Sequence, residues 1–174
     1  KAHDALRRVR TVLPKLHERL ALEGDPAGWL QVIDTRLLPQ TDPDFPLLVA
    51  VCGGGSSGKS TLFNALVGDR AAVVGGKAGL SKRVLVAANP GLVGREDFLR
   101  GLFAPFGAVP RPLETSEHLT ERGPPLYVTR ASVRKSAVLL DTPDFDTGHD
   151  DAYVNRDVVR PVLEAADVLV YIFT

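Results

Sequence analysis

The stretch Pro46-Leu47-Leu48-Val49-Ala50-Val51-Cys52-Gly53-Gly54-Gly55-Ser56-Ser57-Gly58-Lys59-Ser60-Thr61-Leu62-Phe63-Asn64-Ala65-Leu66 decides the fold. It opens on a short unbroken apolar run, residues 47–51, which reads as a strand buried on both faces. The run leads into residues 53–60, which match G-x-x-x-x-G-K-[ST] at every fixed position. From Thr61 a helical pattern begins, with Leu62, Phe63 and Leu66 on one side. Glycines let such a loop curl until successive N–H groups point inward, which makes a concave anion site. The N-terminus of the following helix adds partial positive charge. The residues expected to hold nucleotide phosphate are therefore Gly53, Gly54, Gly55, Ser56, Ser57, Gly58, Lys59, Ser60 and Thr61. Lys59 is expected to reach the β- and γ-phosphates, and the Ser60 hydroxyl to ligate Mg²⁺.

Composition sets the outer bounds. The chain has 174 residues, of which 44% are apolar and 24% charged, ordinary values for a globular protein with a real core. Its 21 basic and 21 acidic residues cancel, which argues against a nucleic-acid-binding face. Cys52 is the sole cysteine, so an internal disulfide is excluded and a reducing, cytoplasmic setting fits. Its place at the end of the first strand makes it a small buried apolar residue. No apolar run approaches the length of a membrane span, and no signal-peptide pattern opens the chain. The chain starts at Lys1, holds no methionine and stops as a strand finishes, so it reads as a piece of a longer protein.

Two parts are expected: N-terminal helices and a linker over residues 1–45, and the phosphate-loop domain over 46–174. In the first part Leu6, Val9, Leu13, Leu16 and Leu20 form an apolar stripe, with Asp4 as N-cap and Pro14 kinking or dividing the helix. Asp25 and Pro26 start a second helix carrying Trp29, Leu30, Ile33 and Leu37, and residues 39–46 read as a linker. These helices either cover the edge of the main domain or belong to a helical bundle. Further on, 84–88 is a strand, 95–106 a helix with Phe98, Leu99, Leu102 and Phe103 inward, and 115–120 a helical turn. Residues 126–131 and 136–140 read as a hairpin whose second arm is central, 153–166 as a helix, and 167–173 as a buried strand.

Asp141 closes the second hairpin arm. A carboxylate at the end of a buried strand in a phosphate-binding fold can hold Mg²⁺ together with Ser60. With residues 53–66 upstream, Leu140-Asp141-Thr142-Pro143-Asp144 resembles a phosphate-loop GTPase of the translation-factor-related class, of the dynamin-like and Era-like kind. The resemblance implies an α/β phosphate-loop NTPase fold: a mostly parallel three-layer αβα sheet with one antiparallel edge strand, nucleotide at the strands' C-terminal ends, and two γ-phosphate-sensing loops. It implies GTP and GDP as ligands, Mg²⁺ as cofactor, and hydrolysis that is slow without a partner or a second copy across the nucleotide face. Extended further, it implies association of the full-length protein with a membrane.

The family pattern is not matched throughout. Asp144 stands where glycine is usual; it keeps the N–H but brings a negative charge near an anion, so its side chain is expected to point away or to reach the metal's waters. Phe145 stands where many relatives carry a water-orienting glutamine. The resemblance assigns the corresponding dynamin-type role to Ser56. The interval 68–90 has no threonine to serve as the metal-ligating switch residue, and Ser81 is the substitute for both metal and catalysis. Lys77, Lys82 and Arg83 read as a solvated basic loop, with offsetting charge on a transferring phosphoryl group as the alternative, and Asp144, Asp146, His149, Asp150 and Asp151 as an acidic loop rather than a metal cluster. The guanine-reading [NT]-K-x-D is absent, so guanine preference rests on resemblance. Two other readings stand beside the GTPase: a nucleotide-gated interaction module with little turnover, to which Asp144 and Phe145 point, and an ATP-using phosphotransferase with 89–125 as a lid.

Overall fold

The computed structural model describes residues 1–42, 44–73, 81–94, 101–103, 107–144 and 151–173, the side chains of 35 and 151–156 aside. The chain divides into two units, Lys1–Phe45 and Pro46–Thr174.

The first unit is helical. Helix α1 (Ala2–Leu20) runs through Pro14 without division and ends where Ala21 turns left-handed. Asp4 lies in its first turn and is not the cap, which is Lys1. Helix α2 (Pro26–Val32) starts as its sequence dictates: the Asp25 carboxylate accepts from the Ala27 and Gly28 N–H groups at 2.9 and 3.1 Å, and Pro26 needs no N–H partner there. The helix then loosens into a π-helical segment (Ile33–Leu37) and resumes as α3 (Leu38–Thr41). The expected linker therefore begins later than residue 39. Pro39 lies inside the resumed helix because it occupies one of the first two positions, where a missing N–H costs nothing. Arg10 forms a two-pronged ion pair with Asp34, joining α1 to the π-helical segment.

The second unit is α/β. Its strands are β1 (Leu47–Gly53), β2 (Leu85–Ala88), β3 (Arg111–Pro112), β4 (Leu126–Thr129), β5 (Ala137–Asp141) and β6 (Val168–Ile172). They form one six-stranded sheet in the order β3-β4-β2-β5-β1-β6. Helix α4 (Lys59–Val67) follows β1, the short α5 (Pro90–Val93) follows β2, a 3₁₀ turn covers Ser116–Thr120, and α6 spans Asp151–Ala165. Four pairings are parallel; β2 against β5 is antiparallel.

That last pairing corrects the expected layout in two ways. The antiparallel pair lies inside the sheet, not at an edge: β2, β3 and β4 run one way and β1, β5 and β6 the other. The expected hairpin does not form either, since β2 separates β4 from β5. Both arms are short and apolar, and local pattern does not say which strand lies between them. Strand β5 is central as expected, and β6 is not buried: among the described residues it lies at the edge beside β1, and Leu169 is half exposed.

The core explains the order. On one face Phe63 and Val67 of α4 pack with Leu85 and Ala87 of β2, Leu139 of β5, Leu126 and Val128 of β4 and Leu119 of the 3₁₀ turn. On the other face Ala50, Val86, Val138 and Leu140 are fully buried, so the central strands are covered on both sides. Helix α6 packs on β1 and buries Val159 and Val162. Of the expected helix over 95–106, residues 101–103 are helical, and Leu102 and Phe103 are buried; Phe98 and Leu99 lie outside the described residues. Among the described residues no helix is long and apolar enough to cross a membrane.

Candidate functional site

The three parallel strands β5, β1 and β6 deliver their C-terminal ends to one rim. Register sets Val51 opposite Asp141 and Gly53 opposite Ile172. Gly53 must be glycine: its φ is 151°, and a Cβ there would lie 2.1 Å from the Ile172 carbonyl oxygen. Beyond it the chain turns through Ser56, left-handed at φ 57°, to Gly58 at φ 96°, which caps α4. The Gly58 carbonyl accepts the first helical bond, from Leu62 N–H at 2.9 Å. Lys59 and Ser60 thus occupy the first turn of α4, facing the end of β5.

Gly53→Ala follows as a test of this loop. The close approach to β6 and the positive φ together should destabilise the unit by roughly 2 kcal/mol or more, read by denaturant unfolding. Stability equal to wild type would mean that β1 and β6 do not approach as described.

Four side chains meet at the rim. The Lys59 ammonium donates to the Gly54 carbonyl at 2.8 Å and forms an ion pair with Asp144. Both are enclosed, with Lys59 5% and Asp144 13% exposed. The Ser60 hydroxyl donates to Asp141 Oδ2 at 3.0 Å. Thr142 locks the segment that carries both aspartates: its N–H and its hydroxyl both donate to the Val51 carbonyl, at 3.2 and 3.1 Å.

The electrostatics are unbalanced. Asp141 is buried, and burial pushes its carboxyl up to about 7. The Ser60 hydrogen bond and the Lys59 charge oppose the rise, and Asp144 adds to it. Asp141 Oδ1 and Ser57 Oγ are buried with no hydrogen-bond partner among the described residues. Buried polar atoms are ordinarily paired, and here two orphans flank one loop. Burial likewise pushes the Cys52 thiol up, as suits a structural residue at the end of β1.

Not every expected residue joins this cluster. Ser56 and Thr61 are exposed on the loop and the first turn of α4. No described hydrogen bond connects Ser81 to Lys59, Ser60 or Asp141; its neighbour Lys82 donates through its N–H to the Leu119 carbonyl at 2.8 Å. Arg83 is not solvated: it donates to the Glu121 and Arg122 carbonyls at 2.7 and 2.8 Å, tying β2's approach to the segment before β4. Lys77, Phe145, Asp146, His149 and Asp150 lie outside the described residues, as does the side chain of Asp151. Among the described residues no group of three or more His, Cys, Asp or Glu side chains gathers.

Two residues were not singled out from sequence. Thr142 was passed over as part of a motif. Asn64 accepts from the Ala71 and Ala72 N–H groups at 2.9 and 2.7 Å and donates to the Ala72 carbonyl at 2.9 Å, anchoring the chain that leaves α4. A lone amide in the turn Leu62-Phe63-Asn64-Ala65-Leu66 is the signal that could have marked it.

No family model matches the chain, and no curated protein matches it. Among solved structures the chain is similar to a bacterial dynamin, one of an oligomerised pair described as providing a mechanism for long-range sensing and tethering of membranes. The TM-score is 0.43 and the identity 15%, over 97% of this chain and 26% of that one. The chain thus spans about a quarter of that protein's length.

Proposed function

We propose that the second unit is a phosphate-loop NTPase domain that binds a nucleoside triphosphate with Mg²⁺ and hydrolyses it, GTP being the substrate. One observation carries the reading. Lys59, Ser60 and Asp141 converge at the mouth of a glycine loop, and the Asp141 carboxylate keeps one buried oxygen without a partner. A hydroxyl and a carboxylate are the hard oxygen donors that Mg²⁺ takes. Ser60 and Asp141 would hold the ion, and its charge would offset that of the phosphoryl oxygens.

The remaining roles follow from the chain itself. Lys59 would bind phosphate oxygens while the Gly54 carbonyl holds its ammonium. The backbone of residues 53–61 supplies N–H donors, with the start of α4 behind them. Thr142 holds Asp141 in register with the loop by fastening to β1. Ser56 and Ser81 are proposed to arrange hydrolysis, and Ser81 to ligate Mg²⁺ in the triphosphate state. Guanine preference, pairing of two copies across the nucleotide face and membrane association of the full-length protein extend the same reading, on sequence resemblance alone.

Calorimetry on the full-length protein with Mg²⁺ tests it, titrating GTP, GDP and ATP in turn. Tighter binding of GTP and GDP than of ATP is expected, with phosphate release from GTP. Preference for ATP would overturn the guanine assignment and leave the phosphate loop. Absence of binding by all three would overturn the reading as a whole.

A further inference from the structure

We infer that Asp144 is an internal counterion that competes with nucleotide phosphate for Lys59, so that nucleotide enters only by displacing it. The inference rests on the nucleotide-binding reading above and adds a regulatory contact to it. Three observations support it. First, the Asp144 carboxylate pairs directly with the Lys59 ammonium, and both side chains are largely withdrawn from water. Second, the Lys59 ammonium has three donors, and one is committed to the Gly54 carbonyl inside the loop. A carboxylate on the second leaves a single donor for a ligand whose phosphates offer several anionic oxygens. Third, Asp144 is tied to the site by its own strand. It lies three residues beyond Asp141, and Thr142 fastens the intervening segment to the Val51 carbonyl. The carboxylate is therefore presented from within the chain, and free nucleotide has to compete against that local concentration.

The chemistry of the competition is plain. A carboxylate and a phosphate oxygen are both anionic acceptors for one ammonium. In this enclosed place they repel each other, so phosphate is held poorly until the carboxylate leaves. Binding thus breaks an enclosed ion pair and frees Asp144. Nucleotide occupancy is thereby linked to the position of the Asp144 side chain.

The test uses the full-length protein. Asp144→Asn keeps the shape and removes the charge; Asp144→Gly serves as a second variant should the first fold poorly. Two quantities are read: affinity for GTP with Mg²⁺ by calorimetry, and the melting temperature without nucleotide. Loss of a charged competitor should raise affinity by about tenfold or more. Loss of an enclosed ion pair should at the same time lower the nucleotide-free melting temperature. Opposite movement of the two is the signature of competition. Unchanged or weaker affinity would overturn the inference, the weaker case placing Asp144 among the groups that hold the metal–nucleotide complex. A gain in affinity with no drop in melting temperature would also overturn it, since simple repulsion would then suffice. Lys59→Ala separates this failure from that of the parent reading: if it abolishes binding while the Asp144 variants do not raise affinity, the site stands and only the counterion falls.

Discussion

Lys59→Ala is expected to weaken nucleotide binding by roughly a hundredfold or more. Two losses add. The ammonium that faces the loop's mouth disappears, and with it a charge-assisted contact to phosphate. The enclosed Asp144 carboxylate then loses the Lys59 ammonium, and its charge repels the ligand. The same change removes a partner from the Gly54 carbonyl. Breaking an enclosed pair from one side is costly, so the nucleotide-free protein should lose about 3 kcal/mol of stability as well. Lys59→Arg distinguishes the two effects. It restores a charge for Asp144 and much of the stability, but a planar guanidinium does not reproduce the ammonium's place against Gly54, and affinity should stay low. Calorimetry and thermal melts on the three proteins check this. Affinity for Lys59→Ala equal to wild type would show that the loop does not hold phosphate.

Asp141→Asn is expected to act in opposite directions on stability and on ligand binding. The carboxyl is buried, one of its oxygens has no partner, and burial raises its pKa from the ordinary 3.8 to about 7. In the metal-free protein the folded state therefore keeps a proton that the unfolded chain releases at lower pH. Stability from this group is present in full below about pH 4 and is lost as pH rises through about 7. Across that window the change amounts to roughly 4 kcal/mol. Asparagine carries no charge at any of these pH values. The variant should match wild type near pH 4 and melt higher at pH 8, at about 2–4 °C per kcal/mol for a protein of this size. With Mg²⁺ and nucleotide the order should reverse, because the variant has lost an anionic ligand for the ion. Thermal melts at the two pH values, with and without Mg²⁺ and GTP, read both effects. A variant that melts lower than wild type at pH 8 without metal would show that the carboxylate is well solvated or paired, against the geometry described.

Much of the site was legible before any coordinates. The glycine spacing placed Lys59 and Ser60 at the start of a helix, and the end of a buried apolar run placed Asp141. The cluster brings these together, although Ser60 and Asp141 are 81 positions apart. Ser81 was read as the substitute because its hydroxyl offers the same ligand as threonine and a strand follows directly, and no described hydrogen bond ties it to the cluster. Arg83 was misread for a related reason: a basic residue in a glycine-rich stretch looks solvated until the chain carrying its carbonyl partners, 38 and 39 positions away, is folded beside it. The hairpin was misread because two short apolar arms near each other in sequence favour pairing on paper. In the fold, burying Leu85 and Ala87 against α4 puts β2 between them.

The sequence by itself determined what depends on near neighbours along the chain. The Asp25 cap, the glycine turn at residues 53–58, the strand that enters it and the helix that leaves it all rest on backbone geometry and hydrogen bonds spanning a few residues. Tertiary structure decided what depends on which distant surfaces share one core. The internal antiparallel junction, the exposed edge position of β6 and the fastening of Thr142 to Val51, 91 positions apart, are of this kind. So is the pairing of Asp144 with Lys59 across 85 positions. The physical reason is desolvation. An aspartate beside a lysine in water is worth little. Enclosed by a folded sheet rim, the same pair fixes where the charge sits at the mouth of the glycine loop.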